Sequence, residues 1–246
     1  MHDPFAHHPG LRDKIKPHDQ SVFREFTLDR LQGLMDDHGL PGGWWYDDAT
    51  REATRHSTLA GRRDDDIWVF AYGSLMWDPA LDFAEVRRAH APDHERQFIL
   101  RDIYGGRGTP EAPGLMAALD HGAGCAGLAF RIEAAKVERE TEILWWREMV
   151  APCYHARFIP LNIAGGQIEA LAFIADHDAD MIDASLTRPQ QIEYLTTGKG
   201  FLGTSFDYLL NVVEHLHQLD IPDPDLENLL EAARAAMPSE TSPKDA

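Results

Sequence analysis

The sequence contains little cysteine, no long apolar run and few cationic residues. Two cysteines, Cys125 and Cys153, among 246 residues allow at most one bridge and give no paired-cysteine metal spacing, which excludes a disulfide scaffold and a zinc ribbon. No stretch approaches the roughly 18 apolar residues of a membrane span, and the start, MHDPFAHHPG, lacks the charged-then-apolar build of a signal peptide. We therefore expect a cytoplasmic protein that has no membrane partner.

The charge balance is strongly acidic. The chain has 23 Lys and Arg against 41 Asp and Glu, a net charge of −18 with neutral histidines. Binding to a phosphate backbone requires clustered cations, so we expect no nucleic-acid partner.

Several nucleotide and nucleophile motifs fail on their required spacing. TTGKG at 196–200 lacks the upstream glycine and the following Ser or Thr of a phosphate-binding loop, and GGRGTPEAPG at 105–114 has Glu111 where a dinucleotide fingerprint needs glycine. Ser74 follows an apolar run but is flanked by Gly73 and Leu75, so the alternating glycines of a nucleophile elbow are missing. Neither a nucleotide site nor a serine nucleophile is predicted.

The 13 histidines give no metal-ligand spacing. His215 and His217 are two residues apart and would lie on different sides of a helix, whereas His7 and His8 lie close to the terminus. We therefore interpret the histidines as scattered surface residues and predict no metal site.

Changes in composition divide the chain into three parts. Residues 1–66 are rich in Asp, His, Arg and Gly, and we interpret them as an N-terminal extension with one helix in SVFREFTLDRLQGLMDDHG. At Ile67 the sequence becomes apolar, and the run IWVFAY is typical of a buried strand. The folded domain is therefore predicted to span 67–236. The remaining residues, 237–246, are predicted to be a disordered tail.

The order of predicted elements favours an α+β fold. Strands are predicted in IWVFAY, RQFIL, LMAAL, CAGLAFRI and a hairpin formed by HARFIPLNI and QIEALAFIA, and helices are predicted at 134–150, 204–218 and 225–236. Only one helix lies among the strands, which indicates a mixed, largely antiparallel sheet or barrel with helices packed outside it.

Glu148 is the first candidate functional residue. At helical spacing it shares a face with Val137, Leu144, Trp145 and Met149. A carboxylate on an apolar stripe is costly to bury unless it is paired or functional, and burial would raise its pKa toward the range useful to a general acid or base. The alternative is a Glu at a helix end that pairs with a nearby Arg or reaches solvent.

The second candidate is the turn Tyr72-Gly73-Ser74-Leu75 directly after the predicted strand. Successive backbone N–H groups in such a turn can bind a carboxylate or a developing oxyanion. Read without other information, it is also compatible with a turn that simply ends a strand.

Five segments of the chain, which follow each other in the same order as in the family, resemble the ChaC family of glutathione-specific γ-glutamylcyclotransferases. They are WVFAYGSLMW, RGTPEAPGL, CAGLAFRI, LWWREM with Tyr154 shortly after it, and GFLGTSFDYL. The resemblance covers roughly two thirds of the chain, begins at Ile67, and leaves residues 1–66 without an assigned function.

The resemblance implies a γ-glutamylcyclotransferase-like mixed β-barrel with flanking helices. It also implies cleavage of the small-molecule substrate glutathione to 5-oxoproline and cysteinylglycine, without metal or organic cofactor. Carried over by position, Glu148 is the catalytic carboxylate and Tyr72, Gly73, Ser74 and Leu75 form the γ-glutamyl-binding loop.

The resemblance also suggests substrate-binding roles for two further residues, each of which has a structural alternative. Arg107 is assigned to anion recognition or to loop structure, and Tyr154 to orienting the γ-glutamyl group or to packing as a core aromatic.

The sequence is compatible with three functions. The first is the glutathione-cleaving enzyme. The second is a cyclotransferase for another γ-glutamyl amine or dipeptide, which would keep Glu148 and the turn. The third is a non-catalytic regulatory protein of the cation transport regulator type, in which the acidic extension binds an unidentified protein partner.

Overall fold

The computed structural model describes residues 3–237. Within this range the α-helices are α1 (Leu28–Asp37), α2 (Asp48–Thr58), α3 (Val137–Glu148), α4 (Arg188–Thr197), α5 (Ser205–Gln218) and α6 (Pro224–Ala236). The strands are β1 (Ile67–Ala71), β2 (Glu85–Ala91), β3 (His94–Asp102), β4 (Gly114–His121), β5 (Cys125–Ile132), β6 (Tyr154–Ile163), β7 (Gly166–Ala175), β8 (Lys199–Gly200) and β9 (Gly203–Thr204). The predicted tail at 237–246 lies, apart from Met237, outside the described residues.

Five strands close into a barrel in the order β1-β5-β2-β6-β7, and β7 pairs back onto β1. The β1–β7 pair is parallel, with Trp68 opposite Ala170, and the other pairs of the ring are antiparallel. Farther along β7, Ile174 pairs in parallel with Leu119 of β4, and β4 carries β3 at its outer edge. The predicted α+β mixed barrel with flanking helices is confirmed.

The two faces of the barrel strands are packed differently. One face contributes a cluster rich in small side chains, such as Ala129, Ala170 and Ala172, and this cluster contains no helix residue, so it fills the barrel interior. The alternate residues, such as Leu171 and Phe173, belong to a larger cluster with side chains of α3, α5 and α6. The helices therefore cover the outside of the barrel.

The prediction of one helix in the extension is wrong, because this segment contains two α-helices. The first begins only at Leu28, after the N-cap residue Thr27, and Phe23 lies in a separate 3-10 turn, Val22–Glu25. The second, α2, follows the N-cap Asp47, whose side chain accepts a hydrogen bond from the Thr50 amide. Hydrophobic periodicity missed α2 because the helix buries cations instead of an apolar stripe.

Strand β2 and helix α4 were also missed. Strand β2 has the sequence EVRRAHA, in which polar residues hide the alternation, and α4 is a short helix whose start is fixed by a capping box between Thr187 and Gln190. The predicted hairpin is present, with Ile163 opposite Gly166.

Helix α2 packs along α3. The indole Nε1 of Trp145 donates to Thr54 Oγ1 at 3.1 Å, and Nη1 of the buried Arg55 donates to Thr141 Oγ1 at 3.1 Å. These contacts tie the extension to the helix that ends at Glu148. No helix within residues 3–237 combines the length and the apolar character that crossing a membrane requires.

Candidate active site

The turn after β1 presents unpaired backbone amides. Strand β1 ends at Ala71, and a short 3-10 helix, Ser74–Met76, follows Gly73. Nε of the buried Arg96 donates to the Tyr72 carbonyl and holds the entry to the turn. No acceptor within residues 3–237 takes up the N–H groups of Gly73, Ser74 or Leu75, so these three donors are available to an anion.

Glu148 is the last residue of α3, and its side chain is only 15% exposed. Its Oε1 lies 3.0 Å from Nε of Arg147, whose own side chain is 4% exposed. Desolvation raises the pKa of Glu148 above its ordinary value, although the Arg147 cation acts in the opposite direction. The carboxylate is thus largely desolvated, and it is also paired with an arginine, as the alternative interpretation expects.

Arg147 connects the carboxylate to the turn. Its Nη2 donates to Ser74 Oγ at 2.8 Å, and its Nη1 donates to the Asp78 carbonyl. Burial lowers the pKa of Arg147, while the charges of Glu148 and Asp78 act against that shift. One guanidinium therefore fixes Glu148 and the 74–78 segment relative to each other.

Three tyrosines surround the carboxylate. They are Tyr72 after β1, Tyr154 at the start of β6 and Tyr208 in the first turn of α5. Burial raises the pKa of each, and the charge of Glu148 raises all three pKa values further. An interaction with the Tyr154 side chain acts against this rise in the pKa of Tyr72. At neutral pH all three hydroxyls remain protonated and can donate to a bound substrate.

Tyr208 was not singled out from the sequence. A Cβ atom built on Gly73 would lie 3.8 Å from the Tyr208 hydroxyl, so this tyrosine lies beside the turn. Tyr208 lies in GFLGTSFDYL, one of the segments that carry the family resemblance. That segment as a whole supports the resemblance, but its sequence does not indicate which side chain has a function.

Arg107 reaches this group through Tyr208. Its guanidinium lies 4.8 Å from the centroid of the Tyr208 ring, and its Nη1 donates to the Thr204 carbonyl at 3.0 Å. The backbone amide of Arg107 donates to the buried Asp102 carboxylate, which also accepts from the Tyr104 amide. These contacts favour the loop-structure alternative for Arg107 and keep anion recognition as a proposal.

Three of the predicted site residues, Tyr72, Ser74 and Tyr154, lie near Glu148 or contact its partner Arg147. Gly73 lies beside Tyr208, Arg107 packs on the Tyr208 ring, and the Leu75 side chain packs into the main apolar cluster. Across residues 3–237, no three His, Cys, Asp or Glu side chains form a group suited to a metal ion.

The raised pKa of Glu148 has a measurable effect on stability. Folded Glu148 keeps its proton to a higher pH than the ordinary value of 4.5 that applies to the unfolded chain. Between the two values the native state binds more protons, so the contribution of Glu148 to the free energy of unfolding falls as pH rises.

We expect the difference in free energy of unfolding, wild type minus Glu148→Gln, to fall as pH is raised from below 4.5 through the raised pKa, and then to level off. Urea titrations of both proteins over a pH series measure this difference, and the other titrating groups largely cancel. A difference that is flat, or that increases with pH, would contradict the raised pKa.

The fold and the site define an α+β barrel protein with a buried carboxylate beside an amide-lined turn. A model of the family described as ChaC-like protein matches residues 67–236, and the chain belongs to that family.

Named relatives agree with this assignment. The chain is 38% identical over 183 residues to the glutathione-specific γ-glutamylcyclotransferase of Escherichia coli (strain K12), an alignment that covers 73% of this chain and 78% of the relative. It is 28% identical over 193 residues to the glutathione-specific γ-glutamylcyclotransferase 1 of Homo sapiens, covering 73% and 84%. The crystal structure of the glutathione-specific enzyme from yeast matches with a TM-score of 0.64 at 18% identity, covering 72% of this chain and 100% of that chain, and shows the shared fold.

Proposed function

We propose that the protein is a γ-glutamylcyclotransferase that cleaves glutathione to 5-oxoproline and cysteinylglycine. The observation that carries the proposal is the buried Glu148 carboxylate, with its raised pKa, beside the free amides of Gly73 to Leu75. The relatives named for this reaction and membership of the ChaC-like family support the choice of substrate.

The reaction needs one group that can accept and return a proton. The α-amino nitrogen of the substrate, reacting as the free amine, attacks its own γ-carbonyl carbon, and the bond from that carbon to the cysteine nitrogen breaks. Glu148 accepts the proton that the attacking nitrogen loses and delivers a proton to the departing nitrogen. No water is consumed, and no protein nucleophile is required because the attack is intramolecular.

The other site residues bind and orient in this proposal. The amides of Gly73, Ser74 and Leu75 stabilise the substrate carboxylate or the oxyanion that develops on the γ-carbonyl. The Tyr154 and Tyr208 hydroxyls orient the γ-glutamyl arm so that the amine faces the carbonyl. Arg107 acts through Tyr208, on whose ring its guanidinium lies.

The proposal includes a cytoplasmic location. Cys125 and Cys153 are both free and buried, which is compatible with the reducing compartment where glutathione is abundant.

The test is release of 5-oxoproline from millimolar glutathione by the purified protein. We expect 5-oxoproline and cysteinylglycine in equal amounts. Release only from other compounds in a panel of γ-glutamyl amines and dipeptides would overturn glutathione as the substrate while keeping the chemistry. Silence across the panel by a protein with a native circular dichroism spectrum would overturn the enzymatic proposal in favour of the regulatory alternative.

A further inference from the structure

Residues 16–24, here termed the crossing segment, lie outside the matched range 67–236 and run beside residues 77–80, which follow the amide-lined turn. At its start, the Lys16 amide donates to the Trp77 carbonyl at 2.8 Å, and Lys16 Nζ lies 3.3 Å from Asp78 Oδ2. The segment is therefore anchored to the residues that directly follow the amide-lined turn.

The other end of the crossing segment is anchored to α3. Arg24 Nη1 donates to the Ala80 carbonyl and to Glu140 Oε2, both at 2.8 Å, and its Nη2 donates to Glu140 Oε1 at 3.1 Å. Glu140 is 3% exposed and lies two turns before Glu148 on the same helix. Arg24 thus holds the turn region and α3 together at one point.

Phe23 lies between these anchors and covers Arg147. The guanidinium carbon of Arg147 lies 4.1 Å from the centroid of the Phe23 ring. The polar groups of this guanidinium are directed to Glu148, Ser74 and the Asp78 carbonyl, so the aromatic ring occupies a face that makes no polar contact. A cation held against an aromatic ring in a largely desolvated place is attracted to it and loses freedom of movement.

We propose that Phe23 and Arg147 are positioning residues for Glu148: the ring holds the guanidinium flat, and the guanidinium sets the carboxylate relative to the substrate turn. This inference rests on the proposed function, because Glu148 needs a fixed place only if it moves protons on a bound substrate. It assigns a catalytic contribution to the extension, which the matched range does not include.

Loss of the Phe23 ring should change the dependence of the reaction rate on pH. The groups that face Glu148 are Arg147 on its own helix, Tyr72 after β1, Cys153 and Tyr154 at β6, and Tyr208 on α5. Among these, Arg147 is the cation that lowers the pKa of Glu148. A guanidinium without its ring spends less time against the carboxylate, so the acid limb of the rate profile should move to higher pH.

The test compares two substitutions of Phe23 that differ in whether they keep the aromatic ring. Phe23→Leu keeps an apolar side chain without a ring, and Phe23→Tyr keeps the ring. We expect Phe23→Leu to lower kcat for glutathione about tenfold, with KM changed less than about twofold and the acid limb shifted upward. We expect Phe23→Tyr to keep kcat and the pH profile close to those of the wild type.

A matched control lies elsewhere in the extension. Phe5 also contacts an arginine: the guanidinium carbon of Arg12 lies 4.9 Å from the centroid of the Phe5 ring. The Phe5 ring packs on Phe83 rather than on the 73–78 segment. Phe5→Leu should leave kcat and the pH profile unchanged. If Phe5→Leu lowers kcat as much as Phe23→Leu, the effect is general loosening of the extension, and the proposal fails.

The outcomes separate this proposal from the proposed function. An active wild type with an unaffected, folded Phe23→Leu overturns only the positioning role, whereas a wild type inactive on every γ-glutamyl compound overturns the proposed function and this inference with it. If thermal melting shows that Phe23→Leu does not fold, Arg147→Lys tests the same link. Lysine keeps the charge but loses the planar fork, and unchanged kcat in that variant would overturn the proposal.

Discussion

Replacing Glu148 with glutamine should lower kcat for glutathione by about 10²–10⁴-fold while leaving the protein folded. The amide has nearly the shape of the carboxyl group, and the position is at the end of α3, so packing changes little. An amide cannot accept the proton of the attacking amine or return one to the departing nitrogen. The measurement is 5-oxoproline release, with circular dichroism to compare the folds.

A matched control for this variant lies on the same helix. Glu142 is 41% exposed and pairs with Arg139 at 2.6 Å on the solvent side of α3. Glu142→Gln makes the same chemical change away from the site and should leave kcat unchanged. If Glu148→Gln keeps wild-type turnover, Glu148 does not transfer the proton, and another group must do so.

Replacing Trp145 with alanine should lower the free energy of unfolding by about 3–5 kcal/mol. This side chain is fully buried, and its ring packs edge to face on Phe173 of β7, with 5.4 Å between the ring centroids. Its Nε1 donates a hydrogen bond to Thr54 of the extension. Truncation would leave a large cavity between the barrel and α3 and would remove a link between α3 and α2. Urea denaturation followed by circular dichroism measures the change.

The control for this stability effect is an exposed apolar side chain. Leu202 is 55% exposed, so Leu202→Ala should change the free energy of unfolding by no more than about 0.5 kcal/mol. A loss at Trp145 no larger than the loss at Leu202 would show that Trp145 does not anchor α3 to the barrel.

The sequence alone determined the elements with a strong local signal. The apolar runs at Ile67–Ala71 and Cys125–Ile132 predicted strands because both faces of these strands are buried. The 3.6-residue period of α3 placed Glu148 on an apolar face, and the order of motifs supplied the family resemblance that made a turn and a carboxylate into one site. Each of these inferences needs only neighbours along the chain or a pattern of motifs.

Local patterns failed where polar residues are buried in ion pairs. Helix α2 buries Arg51 and Arg55, and strand β2 carries arginines on a half-buried strand. In the sequence such residues indicate a solvated surface. Arg51 and Arg55 pair with the nearby Asp48 and Glu52, but what buries Arg55 is α3, where Glu138 is a second partner. Hydrophobic periodicity contains no information about these partners.

The composition of the site was decided by tertiary structure. Tyr208 lies near Glu148 only because α5 packs against β4, and Arg147 links Glu148 to Ser74 across 73 positions of the chain. Phe23 reaches Arg147 from the extension, which the family match does not cover. Contacts of this kind depend on how elements pack against each other, and desolvation of Glu148, which raises its pKa, exists only once those elements have closed around it.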